Sequence, residues 1–96
     1  MIKLNSELLE LLPQYVKKLG ISREIEGFTK KILVAYLKKA NVSGKNPNGV
    51  CAGALYLALK LHNKKISQRK IAKAAGVTEV TLRARYKELI EEIDFF

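Results

Sequence analysis

This 96-residue chain has one cysteine, one histidine, two prolines and no tryptophan, and each scarcity removes a class of function. A lone Cys51 forms no intrachain disulfide, which fits a reducing cell interior, and within an apolar run it reads as a buried structural thiol. One cysteine and one histidine do not assemble a zinc site, and His62 has no acidic cluster at ligand spacing. At a helix end His62 reads as structural, where it favours the C-terminal dipole. The segment GKNPNG carries glycines but lacks the Lys-Ser/Thr step of a P-loop. No catalytic residue, metal or cofactor is therefore expected, and the chain is not read as an enzyme. The longest uncharged apolar run, residues 50–59, is about half of what a bilayer crossing needs, so no membrane is expected. Lys3, Glu7 and Glu10 interrupt the first apolar positions, which argues against a signal peptide. Acidic groups are scarce as well: 9 Asp and Glu stand against 18 Lys and Arg, for a formal charge of +9.

What the chain does have is concentrated in residues 67–89, SQRKIAKAAGVTEVTLRARYKEL. Ser67 is placed to cap a short helix that buries Ile71, Ala72 and Ala75, and Gly76 supplies the left-handed residue that ends it. Thr78 restarts the chain as a second N-cap. Two helices meeting at one glycine, with small alanines at their contact, have the layout of a DNA-reading helix-turn-helix, placed within residues 67–93.

Each helical residue advances about 100° around the axis, so the outer face of the second helix can be counted out. Relative to Val80, residues Leu82, Tyr86, Leu89 and Ile93 lie at roughly 180 to 240°, whereas Arg83, Ala84 and Lys87 lie within about 60°. Val80 and Arg83 are thereby expected to point away from the core. An arginine can contact guanine O6 and N7 with two bonds, and a valine beside it can pack on a thymine methyl group. The bland alternative is an ordinary solvated face.

The charge sits on the same segment. Residues 60–87 hold nine basic side chains (Lys60, Lys64, Lys65, Arg69, Lys70, Lys73, Arg83, Arg85 and Lys87) and one acid, Glu79, for a local net charge of +8. Neutralising phosphates supplies most non-specific affinity for nucleic acid, and such clustering is its electrostatic footprint. Lys17-Lys18, Lys30-Lys31 and Lys38-Lys39 are read as solvated faces. Glu88, Glu91, Glu92 and Asp94 turn the end of the chain acidic, so a DNA surface should stop near Lys87.

Upstream the pattern stays helical, and the length suits one domain, residues 1–96. A first helix is expected after an N-cap at Ser6, running to about Leu19 with Leu8, Leu9, Leu12, Tyr15, Val16 and Leu19 apolar and Pro13 as a point of kinking or splitting. Gly20 ends it. Ser22 caps a second helix whose inner stripe is Ile25, Phe28, Ile32, Ala35 and Tyr36, before Asn41. Ser43 to Asn46 reads as a loop. Pro47 suits the first position of a third helix, capped by Asn46 and running to about His62. That helix is apolar nearly all round, with small residues Ala52, Gly53, Ala54 and Ala58, and should be the central one of five.

Five such helices, the last two a helix-turn-helix, resemble the cyclin-like all-α fold. The stretches PQYVKKLGIS, KNPNGVCAGALYLALKL and ISQRKIAKAAGVTEVTLRARYKEL look like the second, C-terminal cyclin repeat of archaeal transcription factor B, relative of the eukaryotic general initiation factor IIB. VTEVTLRARYKEL is the most specific element, and the resemblance covers roughly residues 8–92. It implies sequence-specific promoter binding in transcription initiation, in which the helix-turn-helix reads a B-recognition element upstream of the TATA box in the major groove. The family's base-reading valine and arginine, in its VTxR pattern, fall on Val80 and Arg83. Gln68, Arg69, Thr78, Thr81 and Lys87 are candidates for contact with the DNA backbone. The implied partners are double-stranded promoter DNA and, in the full-length factor, TATA-binding protein and RNA polymerase; the implied location is the cytoplasm of an archaeal cell.

The family's zinc ribbon, its polymerase-engaging linker and a first repeat have no counterpart in these 96 residues. An excised domain and a stand-alone single-repeat protein are both open. Two other functions compete. A cyclin-like fold can act as a protein-interaction module that takes peptides in helix grooves, but it has no need of the basic cluster. A helix-turn-helix regulator outside the initiation machinery would normally dimerise, and no spare apolar seam is evident, so a monomer is expected.

Overall fold

The computed structural model describes residues 2–39 and 46–92, with side chains for 8–38 and 46–92. Five α-helices follow in order: α1 (Ile2–Leu19), α2 (Arg23–Lys39), α3 (Pro47–Leu61), α4 (Gln68–Ala75) and α5 (Glu79–Glu92). No strand occurs among the described residues.

The helix starts follow from short polar side chains that satisfy orphan N–H groups. Ser22 Oγ accepts from the N–H of Ile25 at 3.3 Å, Asn46 Oδ1 from Asn48 at 2.9 Å and Ser67 Oγ from Lys70 at 3.1 Å. Pro47 occupies the first turn of α3, where its missing N–H costs nothing. The expected cap at Ser6 is corrected: α1 begins at Ile2, so Ser6 lies inside the helix. Nor does Pro13 split α1; it is exposed and the helix runs through it. Asn41, residues 43–45 and Ile93 lie outside the described residues.

Three helices end alike. Gly20, Asn63 and Gly76 adopt positive φ, and the following N–H groups of Ile21, Lys64 and Val77 bond back to Val16, Leu59 and Ala72 at 3.0, 2.9 and 2.9 Å. This is a Schellman termination, in which a left-handed residue turns the chain sharply enough to satisfy a carbonyl of the last turn. At Gly76 (φ 71°) it leaves only Gly76, Val77 and Thr78 between α4 and α5.

α3 is the hub, touching all four other helices. Val50, Cys51, Ala52, Ala54, Leu55, Leu57, Ala58 and Leu59 are fully buried on it, closed over by Leu8, Leu12 and Tyr15 of α1, Ile32, Leu33 and Tyr36 of α2, Ile71 of α4 and Leu82 and Leu89 of α5. α2 differs in detail from its expected stripe. Phe28 and Ala35 are only half-buried, and Thr29 and Leu33 take inner positions. The Phe28 ring instead meets His62 edge-on, 5.0 Å between centroids, at the rim of the core. Thr29 tolerates full burial because its hydroxyl donates to the carbonyl of Ile25 at 2.7 Å.

The α3–α5 contact is the closest. A methyl group on Gly53 would lie 2.9 Å from the backbone nitrogen of Tyr86 and 3.0 Å from Arg85 Cβ, and one on Gly49 would lie 2.9 Å from Thr81 Cγ2. Gly53 thus lets the backbone of α5 lie directly on α3, and Gly49, one helical turn earlier, makes room for the Thr81 and Arg85 side chains. Gly53→Ala should destabilise the protein by about 1–3 kcal/mol through overpacking. Gly27→Ala, on α2 with nothing within 4 Å of the added carbon, should stabilise it by about 0.5–1 kcal/mol through helix propensity alone. Urea denaturation of the pair checks the opposite signs.

Burial pushes the Cys51 thiol from an ordinary 9.0 up to about 12. Tyr15 rises from 10.0 to about 12, through burial first and the neighbouring Cys51 second. Both groups are held protonated in the fold, so their contribution to stability is complete below pH 9.0 and is lost as the pH climbs toward 12. A thiol reagent at pH 8 should label native protein roughly 100-fold or more slowly than unfolded protein. Stability should fall less steeply above pH 9.0 in Cys51→Ala than in the parent chain.

Candidate nucleic-acid interface

Thr78 sets the start of α5. Its Oγ1 accepts from the N–H of Thr81 at 3.1 Å and donates to Thr81 Oγ1 at 3.0 Å. The two hydroxyls thus serve each other, and the methyl group of Thr81 rests against Gly49 of α3. With the cap and this contact fixed, the rotation of α5 about its axis is fixed too. Leu82 and Leu89 are fully buried, Tyr86 is half-buried, and Val80, Arg83, Ala84 and Lys87 face outward.

Val80 is 68% exposed, against 43% for Val34 and 39% for Leu61. Val80 is thus the most exposed of the large apolar side chains among the described residues. Arg83 stands one turn on. Its Nη1 donates to Gln68 Oε1 of α4 at 2.8 Å, and Glu79 Oε1 lies 3.9 Å away on the preceding turn. Gln68 in turn donates from Nε2 to the Tyr56 hydroxyl of α3 at 3.1 Å. The structure therefore joins Arg83 of α5 to Gln68 of α4, with Val80 and Lys87 exposed on α5 and Arg69 exposed at the start of α4.

Two basic residues of the cluster depart from that face. Arg85 turns toward α3, half-buried, and bonds Glu88 Oε1 at 2.5 Å, so its charge is neutralised within the protein. Lys60 places its ammonium 5.5 Å from the centre of the Tyr56 ring and 5.7 Å from that of Tyr86, over an edge-to-face tyrosine pair. Cation–π attraction holds it there, at one side of a groove lined by Tyr56, Lys60, Lys64, Lys65 and Ser67. The groove runs to the capped start of α4, so Lys60, Lys64 and Lys65 place positive charge along the α3–α4 connection.

The tyrosine pair and the Tyr56–Gln68–Arg83 chain escaped the sequence reading. Their members are 12 to 30 residues apart on three helices, and no periodicity within one helix signals a bond between two. His62 sits where expected, capping α3; its Nδ1 lies 2.9 Å from the carbonyl of Ala58 and its Nε2 4.0 Å from Glu24. Among the described residues no helix is long and apolar enough to cross a membrane, and no three His, Cys, Asp or Glu side chains cluster at metal-binding distance.

An all-helical bundle carrying a basic helix-turn-helix, with an apolar residue and an arginine displayed on its last helix, is the class this geometry defines. The chain belongs to the transcription factor TFIIB repeat family, whose model matches residues 8–92. Its fold is accordingly cyclin-like, and the family is one of transcription factors rather than enzymes. Relatives include transcription initiation factor IIB of Methanothermococcus thermolithotrophicus, 42% identical over 86 residues, which are 90% of this chain and 25% of the relative. The factor of the same name from Methanocaldococcus jannaschii is also 42% identical over 86 residues, 90% of this chain and 13% of that protein. Transcription initiation factor IIB 2 of Thermococcus kodakarensis is 42% identical over 85 residues, 88% of this chain and 28% of its own length. The chain thus spans roughly a quarter or less of the first two relatives and little more of the third.

The cap geometry separates stability from surface chemistry on α5. Thr78→Ala should cost about 1 kcal/mol of folding stability, because the Thr81 N–H loses its acceptor. Arg83→Ala should change stability by less than about 0.5 kcal/mol, since its partners are at the surface. Thermal melts of the two variants beside the parent chain test the contrast.

Proposed function

We propose that this repeat acts in transcription initiation by reading promoter DNA, with α5 in the major groove, in the manner of a second, C-terminal repeat that recognises a B-recognition element upstream of a TATA box. The observation that carries this reading is the pairing of a solvent-exposed Val80 with Arg83 on the outer face of a capped helix, within a segment of net charge +8. Arg83 would pair with guanine and Val80 would pack on a thymine methyl group, while Arg69, Lys87 and the hydroxyl-bearing start of α5 at Thr78 and Thr81 would hold the phosphates. Lys64 and Lys65 extend that backbone contact along the groove beside α4. The remaining partners, TATA-binding protein and RNA polymerase, would be met in the setting of the longer factor inside the cell, with one copy of this repeat per promoter. Residues 1–96 act as one repeat in this scheme, and the reading helix belongs to the unit within 67–93.

Titration of a promoter duplex at several salt concentrations tests the electrostatic part. If about 4 to 6 phosphates are neutralised, log K should fall against log salt with a slope of roughly −4 to −5. A flat dependence would overturn the reading and favour a peptide-binding role, for which the lysine-rimmed apolar groove of Lys30, Lys31, Val34, Ala35 and Lys38 on α2 offers a seat. Specificity is tested by binding-site selection at matched salt. Arg83→Ala should lose about 1–3 kcal/mol on the preferred site and relax one base pair. Lys87→Ala should weaken all sequences about equally and lower the slope by roughly one unit. Identical selected sequences from parent and Arg83→Ala would show that Arg83 reads no base.

A further inference from the structure

The sequence places Gln68 among the groups that hold the DNA backbone, but its side chain is already occupied at both ends. A guanidinium only donates, so the amide oxygen of Gln68 must be the atom that faces Arg83, and this leaves Nε2 to donate to Tyr56. The two bonds, 2.8 Å to Arg83 and 3.1 Å to the Tyr56 hydroxyl, run from α5 through α4 to α3. Tyr56 is itself anchored, its ring edge-to-face with Tyr86 at 4.8 Å and covered by the Lys60 ammonium. The outermost member, Arg83, is thus tied through Gln68 to a residue of the central helix.

The geometry points to Gln68 as the positioning residue for base readout: it holds the Arg83 guanidinium in place before DNA arrives, so that α4 contributes to specificity without touching a base. This rests on the reading of Arg83 as a base contact and goes beyond it. An arginine has five N–H donors, and one bond to an amide oxygen leaves a full fork for guanine. A free arginine side chain surrenders rotamer freedom when it binds, whereas one already held surrenders less, and the difference appears as affinity for the matching base pair only. Glu79, 3.9 Å from the same Nη1, adds a carboxylate of its own helix beside the guanidinium. The hydrogen bond to Gln68 gives the guanidinium a direction that a surface ion pair at 3.9 Å alone does not.

The test uses the full 96-residue chain and two duplexes, the sequence preferred in a binding-site selection and a scrambled control. Gln68→Ala should weaken the preferred duplex about 3- to 10-fold, the range of one lost hydrogen bond, and leave the control duplex and the salt slope unchanged. Combined with Arg83→Ala it should add nothing, because the two act as one unit. Tyr56→Phe keeps the aromatic pair and removes only the far hydroxyl; it should shift affinity the same way by less. In DNA-free protein, the side-chain N–H resonances of Arg83 should lose their hindered rotation in Gln68→Ala and keep it in Gln68→Glu, which retains an acceptor.

Equal weakening on both duplexes with a shallower salt slope would make Gln68 a phosphate ligand and overturn the proposal. So would additive losses in the double variant, or an unchanged Arg83 resonance. If Gln68→Ala is silent while Arg83→Ala still relaxes a base pair, the positioning role fails and the readout stands. If Arg83→Ala itself changes no selected sequence, the underlying reading fails first.

Discussion

The distance at which α5 rests on α3 governs nearly everything else in this molecule. With hydrogen atoms alone at Gly49 and Gly53, the backbone at Tyr86 and the side chains of Thr81 and Arg85 approach to within contact of the α3 backbone. That approach leaves α5 no freedom to roll. A helix held by large side chains can rotate several degrees as those side chains change rotamer, but one held by its own backbone cannot. The outward direction of Val80 and Arg83, set by the inward Leu82, Tyr86 and Leu89 stripe, is therefore held by two glycines on another helix. The Thr78 cap completes the constraint by fixing where α5 begins, and hence which residues fall in its first turns.

Charge is sorted by the same packing. Arg85 is carried onto the α3 side, where Glu88 neutralises it, and Lys60 is drawn over the Tyr56 and Tyr86 rings. What is left facing outward is a narrower set than the sequence total implies: Arg83 and Lys87 on α5, Arg69, Lys70 and Lys73 on α4, and Lys64 and Lys65 along the adjoining groove. A field focused in this way orients a polyanion as well as attracting it. An evenly basic surface would only attract.

The face of α5 could be read from the sequence because it depends on one number, the helical repeat, and the Leu82, Tyr86 and Leu89 stripe is long enough to set the phase. The caps at Ser22, Asn46, Ser67 and Thr78 were legible for a similar reason, since capping is chemistry between residues two or three apart. At Ser6 the rule misled: a capping residue also occurs inside helices, and α1 extends upstream of it. α2 was blurred because Thr29 looks polar and is buried, its hydroxyl satisfied by its own helix, while Phe28 looks like core and packs at the rim. The links among Tyr56, Gln68 and Arg83 could not be read at all. They exist only once three helices have been brought together, and nothing local to any of the three encodes them.

The connection between α4 and α5 bears on how portable α5 is. α4 has eight residues, well short of the roughly 12 to 15 that an isolated helix needs to persist in water. It is held from outside: Lys18 of α1 reaches the carbonyl of Ala74 at 3.4 Å, and Ile71, Ala72 and Ala75 are buried against the rest of the bundle. Cut from α1, α2 and α3, the two-helix unit would lose the template that gives it shape, and the arrangement of its outer face with it. The outer face can therefore be varied residue by residue, through Val80, Arg83 and their neighbours, but the two helices cannot be moved as a short cassette; the whole bundle has to travel with them.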